Sequence, residues 1–464
     1  MPSPGFLELA RKLIAADSVS AKGTQQAADL LQPLWEHAGL AVQRQVVDGI
    51  HVNLLGGPGG EAQGAGGVLL VTHLDTVPPG PLERWQGDPW TLAERDGWLH
   101  GLGVADVKLD ALCKAEAARR LQGRKARRPF WLLGTFGEEV GLRGARHFVE
   151  SDLFRAVAPA QVLCGEPSEL QVISAHKGYA VVRCTLRDRK ARPVGSEGPG
   201  VEQLEFAGKA AHSSTPKLGE NAILKALAWV KSSGAPVLAA RGGSGTNVVP
   251  ASCILEVPAP REKGAPEPAS TKFLPTRRPQ PNLWRSLATA SALEELWQRM
   301  LPAGTDERFD PPGAVGGLNV LQGADGTLSL DLDARLLPRH DPDAHIAAFS
   351  AEAQAWTREL GHGELTLEIE VQRNAAGISL PDESPLVKTA AAVLARHGLD
   401  GTPRAKPTST EAGVFARAGC EAIVFGPGRS TGNAHTPGER IEMAQLDEAC
   451  DLYEALLLEL CACT

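Results

Sequence analysis

Short apolar runs in the first part of the chain alternate with segments whose apolar side chains recur every three or four positions. Phe6, Leu7, Leu9, Ala10, Leu13 and Ile14, interrupted by Glu8, Arg11 and Lys12, predict an amphipathic surface helix. Those charges break the continuous apolar core that a signal peptide needs. Helical spacing recurs over residues 25–38, with Pro33 in the middle, and over 109–121 and 141–149. Strand-like runs occupy 42–53, 66–72 (GGVLLVT) and 130–136. Wholly apolar strands between helices belong to a mainly parallel sheet with helices on both faces, so the predicted class is α/β. A strand at 422–425 and a helix at 443–460 resume that pattern near the C-terminus.

The middle of the chain differs. Residues 179–187, 253–257 and 327–337 alternate like strands on a half-exposed sheet, while 221–232 and 343–360 have helical spacing. This predicts an α+β domain (180–372) inserted into an α/β domain (1–179 and 373–464). Between its strands, Pro258 to Pro281 carries seven prolines and is expected to be an exposed loop. The glycine-rich stretch 56–67 is expected to be a turn, and the Gly101 to Asp106 segment lacks the third glycine of a dinucleotide loop.

Composition adds bounds. A chain of 464 residues with 43% hydrophobic residues suits two globular folding units. A net charge of −8 argues against nucleic-acid and anionic-membrane partners, and no apolar run approaches the roughly 20 residues of a membrane span. The eight cysteines are scattered, mostly within apolar stretches, which suits buried thiols in a reducing, cytoplasmic setting. Cys461 and Cys463 form a Cys-x-Cys expected to be a frayed chain end rather than a metal site.

Acidic and imidazole side chains follow the apolar strands, where open α/β sheets collect ligands. His73 and Asp75 share a face of extended backbone, so Asp75 can fix the His73 tautomer while the other ring nitrogen takes a metal. Asp106 opens a helix and, taken alone, reads as an N-cap. The adjacent Glu138 and Glu139 repel unless a cation or shared proton compensates, although a solvated loop pair is the plain alternative. Glu166 sits in a Gly-Glu-Pro turn, and His435 in a loop after Phe425-Gly-Pro-Gly428. Each is ambiguous alone.

Together, in order, these residues resemble the zinc-dependent aminoacylase, carboxypeptidase and deacetylase family that includes acetylornithine deacetylase and succinyl-diaminopimelate desuccinylase. The resemblance rests on His73-Leu-Asp75, Asp106, Glu138-Glu139, Gly165-Glu166-Pro167, Gly208-Lys-Ala-Ala-His212-Ser-Ser, Asn247-Val-Val-Pro250 and Gly426-Pro-Gly with His435. It implies a zinc-peptidase-like catalytic domain with an inserted lid and dimerisation domain, and two Zn²⁺ ions, with Co²⁺ or Mn²⁺ as substitutes. His73, Glu166 and a bridging Asp106 are implied as ligands of one zinc. Glu139, His435 and Asp106 are implied for the second. Glu138 resembles the general base, and Asp75 the residue that orients His73. His212 resembles a lid histidine that, in dimeric relatives, reaches the active site of the other subunit and stabilises an oxyanion.

Asn247 and Arg335 resemble substrate-binding positions, although the family keeps them on neighbouring stretches and here the Pro-rich segment and more lie between them. The family's usual Gly-Gly after the helix-opening lysine is replaced by Leu109-Asp110. Gly165-Glu-Pro-Ser-Glu-Leu170, the segment Ala175-His-Lys-Gly178 and Ser409-Thr-Glu411-Ala lean toward acetylornithine deacetylase, with Glu411 meeting a substrate amino group or serving as a first-turn helix acid. The implied activity is hydrolysis of the amide bond of an N-acyl amino acid or dipeptide-like substrate by a cytoplasmic homodimer. Desuccinylase, acetyl-lysine deacetylase and glutamate-releasing carboxypeptidase stay open. A non-catalytic protein on this scaffold would lack Glu138 or a ligand, and none is missing. A nucleotide-binding oxidoreductase would need a complete glycine fingerprint.

Overall fold

The computed structural model describes residues 5–59, 66–194, 200–259, 268–274, 280–360 and 364–463. The chain divides into two compact units, Met1–His176 with Gly377–Thr464, and Lys177–Ala376.

The first unit is α/β. Its nine-stranded sheet runs Ala41–Val47, His51–Gly57, Phe130–Thr135, Val68–His73, Gln161–Gly165, Glu421–Val424, Ile173–His176 and Ile378–Ser379, with Arg404–Lys406 paired to Ile173–His176. The centre is parallel, joining Phe130–Thr135, Val68–His73, Gln161–Gly165 and Glu421–Val424, whereas the flanking pairs are antiparallel. Val68–His73 and Gln161–Gly165 are buried along their whole length, so they read as continuous apolar runs. Their shared direction places His73, Phe136, Glu166 and Phe425 at the same end of the sheet.

Five helices, Phe6–Ala15, Gln25–His37, Lys108–Arg120, Pro385–Arg396 and Met443–Leu460, contribute to one apolar core. Arg143–Val149 and Ala412–Arg417 pack on each other, with the Phe148 and Phe415 rings 6.5 Å apart. Helix Pro385–Arg396 was not singled out by periodicity, although Ser384 followed by proline at the first turn is a start signal.

Two expectations need correction in this unit. Residues 42–53 are an antiparallel hairpin, because Asp48 and Gly49 take positive φ (49° and 82°) and turn the chain between Ala41–Val47 and His51–Gly57. The helix expected over 25–38 forms as Gln25–His37 with Pro33 inside it: Pro33 and Asp29 are both exposed, so the Asp29 carbonyl that loses its helical donor can be met by water. The terminal Cys-x-Cys is not frayed, since Cys461 is buried in the core and its carbonyl accepts the Arg127 and Arg128 N–H groups. All eight cysteines are free thiols, seven of them buried.

The second unit has an eight-stranded antiparallel sheet in the order Ser270–Leu274, Val201–Ala207, Ser252–Pro258, Ala239–Gly242, Val315–Ala324, Thr327–Leu336, Gly178–Asp188 and Leu365–Ala375. Helices Ala222–Ser233, Trp284–Met300 and Pro342–Leu360 pack on it around Trp229, Trp297 and Phe349. The Pro-rich stretch is not all loop: Ser270–Leu274, lying between Pro268 and Pro275, adds an edge strand, where flanking prolines are tolerated. Its residues 260–267 and 275–279, like 60–65 of the glycine-rich stretch, lie outside the described residues. No helix among the described residues is long and apolar enough to cross a membrane.

Candidate metal centre

Histidine 73 closes the central strand Val68–His73 and is buried. Its Nδ1 lies 3.1 Å from the Asp75 carbonyl and 3.7 Å from Asp75 Oδ1, and its Nε2 lies 3.1 Å from Asp106 Oδ1. The other Asp106 oxygen is 3.1 Å from His435 Nε2, which in turn is 2.9 Å from Glu139 Oε1. One buried carboxylate therefore stands between two imidazoles. Ligand atoms of His73, Glu138 and Glu139 fall within 4.8 Å of one another, as do those of Asp106, Glu139 and His435. Glu166 is in neither group; burial, with Asp106 and Glu138 nearby, pushes its carboxyl up.

The plain alternatives fail on geometry. Asp106 is not an N-cap: the capping position of Lys108–Arg120 is Val107, with no side-chain cap bond. Asp75 meets more than His73. Its carboxylate accepts Ser20 Oγ (2.7 Å) and the N–H groups of Glu138 (3.1 Å) and Glu139 (3.4 Å), so it also pins the paired glutamates. Burial opposes its ionisation, yet these bonds and His73 hold the carboxyl below its ordinary value.

Two residues that hold the centre together were missed. Glu439 is buried and accepts the N–H groups of Gly103 (3.2 Å), Ala105 (2.9 Å) and Asp106 (3.1 Å), fixing the loop that presents Asp106. Burial and the nearby Asp106 push its carboxyl up to about 7. Gly103 makes that loop possible, since its φ is 83° and a Cβ would lie 2.8 Å from Lys108 and Thr76 side-chain carbons. Asn433 clamps the His435 loop by donating to the Arg429 (2.9 Å) and Arg440 (2.8 Å) carbonyls and accepting the Arg440 N–H (3.0 Å). His435 itself sits in the left-handed region at φ 61°, a strained position for a non-glycine residue. An acid and an amide flanking a loop histidine were the available signals.

The donor set suits a cation. Four carboxylates, Asp106, Glu138, Glu139 and Glu166, surround two imidazoles. Burial opposes protonation of His435, but Glu139 and Asp106 push it up to about 12; His73 is raised well above its usual range in the same way by Asp106 and Asp75. Such a nitrogen and oxygen donor set fits divalent zinc. With these contacts each Nε2 carries a proton toward Asp106, and a metal taking that nitrogen displaces it. Metal uptake at pH 7 is therefore expected to release about two protons or more. Titration calorimetry in buffers of different ionisation enthalpy measures this, and no release would show that both imidazoles are already neutral before the metal binds.

Glu411 lies in the same unit and is buried. Its Oε2 accepts Thr135 Oγ1 at 2.8 Å, while Oε1 has no hydrogen-bond partner among the described residues. Burial and Glu138 raise its carboxyl to about 8. It stands just before the helix Ala412–Arg417 but makes no cap bond.

In the second unit His212, Asn247 and Arg335 adjoin one another. Ser213 N–H donates to the Asn247 carbonyl (2.9 Å), and an Arg335 terminal nitrogen donates to Ser213 Oγ (3.3 Å). The long separation in sequence is closed because the intervening segments form adjacent strands and the helix Trp284–Met300. Arg335 stacks on Tyr179, with the guanidinium carbon 3.3 Å from the ring centroid; its Nε lies 3.9 Å from Asp333 Oδ2 and has no hydrogen-bond partner among the described residues. Burial lowers its proton affinity, opposed by Tyr179 and Asp333. His212 is exposed, in an isolated bridge with Val248, and its Nδ1 accepts the Ser214 N–H (3.1 Å) and lies 2.7 Å from Ser214 Oγ, an arrangement that suits the Nε2–H tautomer.

Residues 69–459 match the model of peptidase family M20/M25/M40. Among solved structures, an aminoacylhistidine dipeptidase from Vibrio alginolyticus matches with a TM-score of 0.61 and 18% identity, over 98% of this chain and 97% of that one. A metallo-carboxypeptidase from Sulfolobus solfataricus matches with a TM-score of 0.60 and 16% identity over 100% of both chains. A dinuclear metal binding peptidase from Bacillus subtilis matches with a TM-score of 0.51 and 10% identity over 98% of both. The chain belongs to peptidase family M20/M25/M40 and is an enzyme that acts on amide bonds.

Proposed function

We propose that the chain is a cytoplasmic, homodimeric zinc hydrolase that deacylates an N-acyl amino acid, N-acetylornithine or a close analogue. The observation that carries this reading is Asp106 set between His73 and His435, with Glu138 and Glu139 alongside. His73, Glu166 and Asp106 would hold one zinc; Glu139, His435 and Asp106 would hold the other. The chemistry supplied by two bound zinc ions is a lowered pKa for a water and polarisation of the scissile carbonyl.

The remaining work falls to the chain. Glu138 takes the proton of the attacking water and returns it to the leaving amine. His212, protonated on Nε2, is the right tautomer to donate to the oxyanion. Arg335, rigid against Tyr179, offers a guanidinium fork for the substrate carboxylate, with Asn247 beside it. Glu411, with one unpaired buried oxygen, suits the free ammonium of an ornithine-like substrate.

The test is zinc content together with a substrate panel of N-acetylornithine, N-acetyl-lysine, N-succinyl-diaminopimelate, acyl-glutamates and dipeptides. About two metals per chain and preference for N-acetylornithine support the reading; preference for dipeptides moves it to a dipeptidase, and no metal under replete conditions ends it. Arg335→Lys is expected to raise KM roughly 10–100-fold with a smaller change in kcat, because one charged, two-pronged contact is lost. An unchanged KM would remove Arg335 from substrate binding.

A further inference from the structure

Beneath the strand ends lies a buried polar cluster that the chemistry above does not use. Asp110 and Lys114 are one turn apart on Lys108–Arg120, each about 1% exposed. Lys114 Nζ donates to Asp110 Oδ2 (2.5 Å), the Val71 carbonyl (2.6 Å) and Thr72 Oγ1 (2.9 Å), which uses all three protons of an ammonium. Asp110 also accepts Thr72 Oγ1 (2.6 Å) and the Tyr453 hydroxyl (2.5 Å), and that hydroxyl lies 2.9 Å from the Phe425 carbonyl.

Glycines let the pair reach the backbone. A Cβ on Gly165 would fall 2.0 Å from Asp110 Oδ2 and 2.5 Å from Lys114 Nζ; one on Gly426 would fall 2.7 Å from the Glu166 carbonyl and 3.3 Å from Asp110 Oδ1. Three of the segments touched lead into the centre. Thr72 precedes His73, Gly165 precedes Glu166, and Phe425 opens the segment that carries His435. Asp110 itself follows Asp106 by four residues. A buried ion pair contributes little net stability compared with apolar residues of equal volume. Its use therefore lies in position rather than in stability.

We propose that Asp110 and Lys114 are positioning residues for the metal centre, fixing the ends of three adjacent parallel strands so that His73, Glu166 and the His435 segment converge on Asp106. The proposal rests on the metallohydrolase reading of that centre. The experiment compares the wild-type chain with the double variant Asp110→Leu, Lys114→Met, measuring zinc affinity by competition with a graded chelator and the thermal midpoint of the zinc-free protein. The variant is expected to unfold near the wild-type midpoint, since the apolar pair replaces the ion pair, yet to bind zinc roughly 10–100-fold more weakly. Wild-type zinc affinity in the folded double variant would overturn the proposal. If that variant does not fold, Asp110→Asn, which keeps the shape and removes the charge, is measured in the same way: weaker zinc binding supports the proposal and unchanged binding overturns it. A wild-type chain that takes up no zinc overturns the metallohydrolase reading itself, and this inference with it.

Discussion

Replacing Glu138 by glutamine is expected to lower turnover by roughly 10²–10⁴-fold while zinc content stays at the wild-type level. Glutamine keeps the size of the side chain and one carbonyl oxygen but cannot accept the proton of the attacking water. The backbone around it should not move, because the Glu138 and Glu139 N–H groups remain tied to Asp75. Glu138 is buried and lies within a possible ligand group with His73 and Glu139, so its position alone suits either a base or a ligand. The variant separates these roles. Steady-state kinetics with elemental analysis of the same preparation reads both: lost turnover with two metals marks a base, lost metal marks a ligand, and unchanged turnover removes it from the chemistry.

Much of this architecture was legible because buried parallel strands leave a plain trace. Val68–His73 and Phe130–Thr135 are apolar on both faces, and residues that terminate such strands must face the end of the sheet. That logic led to His73 and Glu166 directly, and to Glu138 and Glu139 just after Phe136. The hairpin over 41–57 was less legible, since a strand pair with a three-residue turn keeps its β-formers nearly continuous and only Asp48-Gly49 marks the break. The edge strand Ser270–Leu274 was hidden by the surrounding prolines, whose effect on an edge is mild.

Residues acting through backbone contacts were the least legible. Glu439 and Asn433 work by holding N–H and carbonyl groups of loops that meet them only in the folded chain, and no periodicity records such a bond. The Asp110–Lys114 pair is a similar case. On a helical pattern its charges predict an exposed face, whereas eleven consecutive residues from Lys108 to Ala118 are buried. Burial of that helix depends on strands and a C-terminal helix far away in sequence. The adjacency of Asn247 and Arg335 was likewise out of reach, because it depends on how strands and a helix between them are folded away.

Substitution of Asp106 by alanine is expected to abolish binding of both metals, a larger loss than any single terminal ligand should cause. The argument is geometric. Asp106 presents one oxygen to His73 and the other to His435, each at 3.1 Å, so a single side chain serves both halves of the centre. Three backbone N–H contacts from Glu439 fix its loop, and those contacts survive the substitution because they involve no Asp106 side-chain atom. The fold should therefore persist while the bridge is lost. Two measurements check this. Elemental analysis should fall from about two metals per chain to near zero. Zinc at 100 times its dissociation constant should stabilise the wild type by about 2.7 kcal/mol for each site filled, and that stabilisation should vanish in the variant. Asp106→Asn, which keeps the shape and one contact oxygen but turns the other into an amide nitrogen and loses the charge, should retain at most part of the effect. Loss of one metal with retention of the other would assign Asp106 to a single site, and retention of both would exclude it from the centre.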